Sequence, residues 1–419
     1  SAIEAAGYDP DRFGQNQRVG VYAGVMNGHY ATRAAFWSVA NRVSYLFDFM
    51  GPSLSVDTAC SSSLTALHLA AEAIRAGRCD SAIAGGVNVI AHPWHLQSLG
   101  DLGMLAPGGR ARAFGAEADG MVSGEGVGVV VLKPLARALE AGDHVHGLLL
   151  GSALNSGGRT RSYTAPSPAA HADVITSALQ DAGVRAQDIS LIEAHGTGTK
   201  LGDPIEVAGL TRALAGGRSV ALGSVKSNIG HCESAAGLAG ITKVLLQMRH
   251  RHIVPTLHAD ALNPEIDMQS GPLEIVRTGR EWSSPGSARR VAGVSSFGAG
   301  GANAHVVLAE APTRVDRAAP GPGPQLVVLS ARDEQALARR AGDLVRALET
   351  TTEPLADIAY TLQTGRSPMR VRLAIVARDL TQACERLGRY AEGVDTGTIV
   401  GVDDTGDTAD TTLTQLVKG

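Results

Sequence analysis

Val56-Asp57-Thr58-Ala59-Cys60-Ser61-Ser62-Ser63 decides how this chain is read. An apolar, extended segment ends there and small hydroxyl residues follow. Leu64, Leu67, Ala71 and Ile74 then recur at the three-, four- and three-residue steps of one helix face, and Gly77 offers a stop. A strand turning into a helix at this point sets the Cys60 thiol beside free backbone N–H groups and the positive end of a helix dipole. Both favour thiolate over thiol. Cys60 is therefore a candidate nucleophile.

Outward from that turn, strand-like and helix-like segments alternate from Val19 to about Ala311. Strands are expected over Val19–Val25, Ser53–Thr58, Ser81–Val89, Val127–Leu132, Val145–Ala153, Leu191–Ala194, Val220–Val225, Arg290–Ser295 and Ala304–Leu308. Helices are expected over Ser62–Ala76, Pro134–Ala141, Ala169–Ala182, Pro204–Ala215 and Ser234–Met248. This alternation argues for an α/β fold with well-buried sheets. The Ser-Ser pairs at Cys60 and in Val294-Ser295-Ser296-Phe297 suggest equivalent turns in two halves of a duplicated fold. Ala311–Pro324 is a Pro/Gly linker. Beyond it, strands Gln325–Ser330 and Val371–Arg378 and helices Asp333–Leu348, Leu355–Thr364 and Leu380–Ala391 read as a small α/β domain. Gly393–Thr412 reads as loop. The expected domains are thus 1–311, a linker over 312–324 and a second domain over 325–419.

Of 419 residues, 44% are hydrophobic and 19% charged, and the formal net charge is -4. That balance argues against nucleic acid or an anionic membrane as partner. No apolar run reaches membrane-spanning length. The four cysteines show no paired CxxC spacing, so neither a zinc site nor a disulfide framework is indicated, and a cytoplasmic setting suits a free thiol. Cys79 and Cys384 read as packing residues, Cys232 as lining a helix start, His68 as core or surface, and His305 as structural. His250, Arg251 and His252 read as a solvated helix end.

Three further segments carry chemistry. In Glu193-Ala194-His195-Gly196-Thr197-Gly198-Thr199-Lys200-Leu201-Gly202-Asp203-Pro204, a strand enters a Gly-Thr loop and Asp203 reads as an N-cap. Lys226-Ser227-Asn228-Ile229-Gly230-His231 reads as another strand end. The Phe297 loop closes on Asn303-Ala304-His305. One cysteine with His195 and His231 makes sense together. A thiolate needs a proton acceptor or cation, and two imidazoles can aim two N–H donors at a developing oxyanion. Lys226 balances charge around His231, and Thr197 and Thr199 supply hydroxyls along a channel.

Together, these segments resemble the beta-ketoacyl synthase family, and within it the ketosynthase domains of modular type I polyketide synthases. The matching text is Asp57–Ser63, Glu193–Thr199, Lys226–His231, Ser295–Gly298 and Gly301–His305. The resemblance covers about Ala2 to Ala311, and Gln325 to about Ala391 resembles the ketosynthase-to-acyltransferase linker domain. It implies the thiolase fold, a five-layer αβαβα sandwich, as a homodimer. It implies that Cys60 takes an acyl chain from an upstream acyl carrier protein. His195 and His231 then assist decarboxylation of a malonyl unit on a downstream carrier, and the carbanion attacks the Cys60 thioester. Lys226 supports His231, Thr197 and Thr199 contact the carrier's phosphopantetheine arm, and Phe297 gates the pocket beside Asn303. The N–H groups of Cys60 and Phe297 form an oxyanion hole. No cofactor or metal is bound by the domain itself. Finer wording at Ser224–Gly237, Leu262-Asn263-Pro264, Glu281-Trp282 and Gly298–Gly301 resembles antibiotic assembly lines whose acyltransferase acts in trans.

Three departures are visible. The family's first strand is expected upstream of Ser1, and the chain reads short between Tyr30 and Ala31. Ser156 stands where many relatives carry His. The competing readings are a ketosynthase-like module that only transacylates or docks carriers, and a cysteine hydrolase using Cys60 with His195. The second histidine and the Gly-Thr loop have no task in the hydrolase.

Overall fold

Valine- and alanine-rich runs build two mixed sheets in the computed structural model, which describes residues 2–28, 35–283, 289–312, 323–394 and 399–402. The chain divides into two units: Asn16–Thr313, and Ser1–Gln15 with Arg314–Gly419. In the large unit, β1 (Val19–Gly24), β2 (Ser53–Val56), β3 (Ser81–Asn88) and β4 (Gly126–Leu132) form the first sheet, ordered β2-β1-β3-β4. β1 runs parallel to β2 and β3, and β4 is antiparallel to β3. The second sheet holds β5 (Gly147–Ser156), β6 (Leu191–Glu193), β7 (Val220–Gly223), β9 (Leu273–Ile275), β11 (Val291–Phe297) and β12 (Ala302–Glu310), ordered β5-β12-β11-β6-β7-β9. The short strands β8 (His252–Ile253) and β10 (Arg280–Glu281) pair separately.

The second sheet repeats the first. β6 is parallel to β7 and β11, and β11 is antiparallel to β12. The duplicated fold expected from the sequence is therefore present, but the two Ser-Ser segments are not its equivalent points. Cys60 follows β2, whose counterpart is β7, whereas Ser295 and Ser296 lie inside β11, the counterpart of β3. β5 adds antiparallel to β12. Among the described residues, the outer edge of β4 has no corresponding strand.

Helices complete a layered sandwich. α3 (Ser62–Arg75) and α9 (Ala236–His250) touch strands of both sheets and lie between them. α6 (Pro168–Ala182) and α7 (Gly202–Ala213) cover the far side of the second sheet, and α2 (Trp37–Leu46) packs on β1 and β2. One core sits at the central layer, with Leu64, Leu67, Leu238, Ile241 and Val244 against Ala82, Ala84, Val294 and Val306. A second core lies between the sheet and the outer helices, around Val174, Ile175, Ile192, Val207, Leu210 and Leu222. α4 (Pro93–Asp101), α5 (Leu135–Ala141) and α8 (Lys226–Ile229) complete the large unit. The expected strand over Val220–Val225 stops at Gly223, and Lys226 opens α8 instead of ending a strand.

In the small unit, β13 (Gln325–Ala331), β14 (Val371–Ala377) and β15 (Ile399–Val402) form an antiparallel sheet. It packs with α10 (Glu334–Leu348), α11 (Leu355–Thr364) and α12 (Leu380–Ala391). β15 corrects the loop expected over Gly393–Thr412. The first fifteen residues, with α1 (Ala2–Ala5), group with this unit. Arg366 Nη1 donates to the Glu4 carbonyl at 3.2 Å, and Ser367 Oγ to Asp9 Oδ1 at 2.6 Å. Most of the Pro/Gly linker, the rest of the C-terminal tail and the Tyr30–Ala31 junction lie outside the described residues.

The central helices approach the first sheet closely because Gly86 lacks a side chain. A Cβ there would lie 2.7 Å from Ser63 Cβ and 2.9 Å from the Ser234 carbonyl oxygen. Gly86→Ala is expected to cost about 1–3 kcal/mol through this overpacking. Gly100→Ala in α4, where an added Cβ meets nothing within 4 Å, is the control. Urea unfolding midpoints of the two variants check this, and equal midpoints would contradict it.

Candidate active site

Cys60 sits, as its sequence context implies, between β2 and α3. Ala59 adopts φ 54°, a left-handed conformation that reverses the chain before the sulfur and costs on the order of 1–2 kcal/mol. The Ser run offsets that cost. Ser62 Oγ accepts from Thr58 N–H at 2.9 Å and donates to the Ala59 carbonyl at 2.6 Å. Ser61 Oγ lies 2.8 Å from both the Thr58 and Ala302 carbonyls, joining the turn to β12. Ser296 Oγ donates to the Cys60 carbonyl at 2.8 Å.

His195 leaves the end of β6. Its N–H and that of Gly196 donate to the two oxygens of Glu206 at 2.7 and 2.8 Å. Its Nδ1 accepts from Phe297 N–H at 3.3 Å. His231 follows Gly230, which takes φ 74° against the Val122 carbonyl. The His231 N–H donates to Val122 O, and its Nδ1 accepts from Glu233 N–H at 3.0 Å. Each neutral ring thus takes a backbone N–H at Nδ1 and carries its own proton on Nε2. Among the described residues, His231 Nε2 is buried without a hydrogen-bond partner. The rings meet edge-on with centroids 5.3 Å apart. Cys60 Sγ and a ring nitrogen of each histidine all lie within 4.8 Å of one another.

Burial governs the charges. It pushes the Cys60 thiol up to about 11; the Glu233 carboxylate adds to the rise, while Lys226 and the N–H groups of Ala299 and Cys60 oppose it. The resting sulfur is therefore a thiol, which corrects the ionised sulfur expected from the helix start. Burial, with the Lys226 charge, holds His195 and His231 well below the usual imidazole range. Lys226 is itself pulled down by burial, against the carboxylates of Glu193 and Glu206. Cys60, His195 and His231 are also a donor set that zinc takes, but the neighbouring Lys226 charge opposes a cation.

The other expected site residues divide. The Phe297 N–H assigned to an oxyanion hole donates instead to His195, and the N–H groups of Cys60 and Ala299 face the sulfur. The Phe297 ring is buried, 5.8 Å from His195, and stacks at 3.8 Å on His171. Thr197 and Thr199 are half-buried, with hydroxyls 3.4 Å apart. Thr199 Oγ1 also accepts from Gly202 N–H at 3.1 Å. Asn303 donates to Asn155 at 3.0 Å, bridging β12 to β5. Asp203 is not an N-cap. Its carboxylate turns inward to accept from Phe114 and Gly198 N–H, and burial raises it to about 6. Glu206 rises to about 7 for the same reason. His305 is buried against Ser295 Oγ at 2.9 Å, and His68 reaches Ser152 Oγ at 2.9 Å. His171, Glu206 and Glu233 escape a sequence reading because the lone residues carry no motif of their own.

Residues 1–138 match the model of the beta-ketoacyl synthase N-terminal domain, and residues 146–260 that of the C-terminal domain. A solved oxazolomycin ketosynthase domain from Streptomyces albus JA3453 is 41% identical, with a TM-score of 0.91 over 98% of this chain and 75% of that one. The chain belongs to the beta-ketoacyl synthase family. It is a ketosynthase of the polyketide synthase type with the thiolase-like fold, and the family's enzymes are acyltransferases that form carbon–carbon bonds. The ketosynthase from module 6 of the bacillaene synthase of Bacillus subtilis 168 is 36% identical, with a TM-score of 0.90 over 100% of this chain and 75% of that one. Polyketide synthase PksM of Bacillus subtilis is 49% identical over 94% of this chain, and ThaG of Burkholderia thailandensis 50% over 94%. The ketosynthase chain spans about a tenth of the length of these synthases, 10% and 8%. Residues 328–394 match a RhiE-like KS-MAT linker domain.

With the thiol at about 11 and both imidazoles already neutral, Cys60 alkylation by iodoacetamide is expected to rise about tenfold per pH unit from pH 7 to 9. Peptide mass spectrometry against time gives the rates. A plateau starting below pH 9 would show that burial does not control this sulfur.

Proposed function

We propose that this ketosynthase catalyses decarboxylative Claisen condensation of a Cys60-bound acyl chain with a malonyl-acyl carrier protein. One observation carries the reading: a nucleophilic sulfur and two neutral imidazoles converge within 4.8 Å, with His231 Nε2 left without a partner among the described residues. In the loading half, Cys60 attacks the carrier thioester. The thiol proton ends on the departing phosphopantetheine sulfur, and the acyl chain on Cys60. In the second half, malonyl carboxylate leaves as CO2 and its electron pair forms an enolate. The Nε2–H groups of His195 and His231 donate to that oxygen, so no strong base is needed. The enolate carbon attacks the Cys60 thioester, the sulfur leaves with the electron pair and a proton taken up from solvent restores the thiol. The product on the carrier is longer by two carbons.

Thr197 and Thr199 line the approach of the phosphopantetheine arm, and Phe297 stands at the acyl pocket. Asn303 acts on that pocket through its bridge to Asn155. The partners are upstream and downstream acyl carrier proteins in the cytoplasm, with no cofactor held by the chain itself. Wording at Cys232–Gly237 and Gly298–Gly301 favours an antibiotic assembly line with a trans-acting acyltransferase. A homodimer is favoured by the outer edge of β2, unpaired among the described residues, beside exposed Trp37, Tyr45, Leu46, Met50 and Leu54. No helix among the described residues is long and apolar enough to cross a membrane.

Intact-protein mass spectrometry with an acyl thioester, then malonyl-carrier, tests the proposal. Cys60→Ala is expected to abolish loading. His231→Ala is expected to load normally but to elongate about 100-fold or more slowly, the cost of one lost oxyanion donor. Loading without elongation in the unaltered protein would favour the module that only transacylates.

A further inference from the structure

We infer that Glu233 is a positioning residue for the condensation half: its buried carboxylate, tied to Asn27, His95 and Ser123, locks a left-handed turn whose N–H holds His231 as an Nε2–H donor. The inference rests on the reading proposed above for His231. It starts from a conflict. Glu233 is 1% exposed, and its charge opposes ionisation of Cys60. A buried carboxylate that works against the nucleophile needs a compensating task.

The surrounding geometry supplies one. Glu233 has φ 44°, a conformation that disfavours side chains other than glycine. Three donors from separate parts of the fold hold its carboxylate. His95 Nε2, in α4, lies 2.7 Å from Oε1; Ser123 Oγ, ahead of β4, donates to Oε1 at 2.8 Å; and Asn27 Nδ2, beyond β1, donates to Oε2 at 3.0 Å. This tether converges on His231 from two sides. Ser123 is bridged to His231 through the backbone, with Gly124 N–H donating to the His231 carbonyl at 2.9 Å. Glu233 N–H meets the ring itself at Nδ1. Without the tether, a non-glycine residue relaxes from positive φ and its N–H swings off the ring. The imidazole is then free to place its proton on Nδ1, and the oxyanion loses a donor. Glu233 touches no reacting atom in this account and acts through His231.

Three variants, Glu233→Gln, Glu233→Ala and Glu233→Gly, separate positioning from bulk stability. Nitrogen-15 NMR of histidine-labelled protein reads the His231 tautomer without any turnover. The unaltered protein is expected to show the proton on Nε2, and Glu233→Ala a mixture. Glu233→Gly, which reaches positive φ freely, is expected to restore the Nε2 form in part and to elongate faster than Glu233→Ala. Elongation by Glu233→Ala is expected to fall about tenfold or more. In Glu233→Gln the charge facing Cys60 is gone, while Lys226, His195 and His231 remain. Cys60 alkylation at pH 8 is expected to run faster as elongation slows, opposite signs that simple destabilisation does not produce. Unchanged tautomer in Glu233→Ala, or equal losses in alkylation and elongation, would overturn the inference. Failure of the unaltered protein to elongate would instead count against the proposed reaction, with the NMR result still deciding the role of Glu233.

Discussion

Removal of water is the constraint on which the site depends. In bulk solvent, Cys60 would be partly ionised near neutrality and the imidazoles partly charged. In this interior, burial drives both histidines and the thiol toward their uncharged forms. A neutral imidazole carries one N–H, and its position decides the chemistry. Backbone N–H groups from Phe297 and Glu233 settle that by occupying each Nδ1. The fold thus fixes protonation with main-chain atoms.

The duplicated architecture explains how distant segments reach one point. Cys60 and His231 follow topologically equivalent strands, β2 and β7, in the two sheets. His195 ends β6, the counterpart of β1, and Phe297 ends β11, the counterpart of β3. α3 and α9 pass between the sheets, where small residues permit close approach. A Cβ on Gly237 would fall 2.5 Å from Leu64 Cγ, and one on Gly240 would fall 3.1 Å from both Glu193 Cγ and Val294 Cγ1. Glu193 in turn receives Lys243 Nζ at 2.7 Å, so the helix–sheet packing that closes the core also carries a charge partner of Lys226.

What the sequence makes legible follows from locality. The strand-to-helix turn at Cys60, the strand end at His195 and the Gly-Thr loop are signalled by neighbours in the chain, and the side chains of Cys60, His195 and His231 do meet. The elements of the small unit are legible too, because α10, α11 and α12 have strong amphipathic periodicity. Asp203 misleads because Asp-Pro is a genuine helix-start signal; here the nearby N–H groups of Phe114 and Gly198 outbid the helix for its carboxylate. Phe297 misleads because its N–H has two possible acceptors, and only the relative placement of β6 and β11 selects His195. Glu233 is invisible for a similar reason: its partners Asn27, His95 and Ser123 are 206, 138 and 110 residues away.

A thiol held near 11 looks ill suited to a nucleophile, yet it is consistent with the proposed two-stage reaction. Loading needs the sulfur ionised only while a thioester occupies the site, when the N–H groups of Cys60 and Ala299 face the forming charge. Condensation needs the reverse: Cys60 must leave as an anion and then be quenched. A high resting pKa makes the quench favourable and keeps the empty site from holding a permanent anion against the enolate. The same dry environment that slows ionisation strengthens each imidazole N–H toward a new oxyanion, since screening is weak there. Neutral donors also need no counter-ion between turnovers. Lys226 fits this scheme as a cation whose field reaches the sulfur and both rings, while the buried carboxylates of Glu193 and Glu206 hold its charge in the interior.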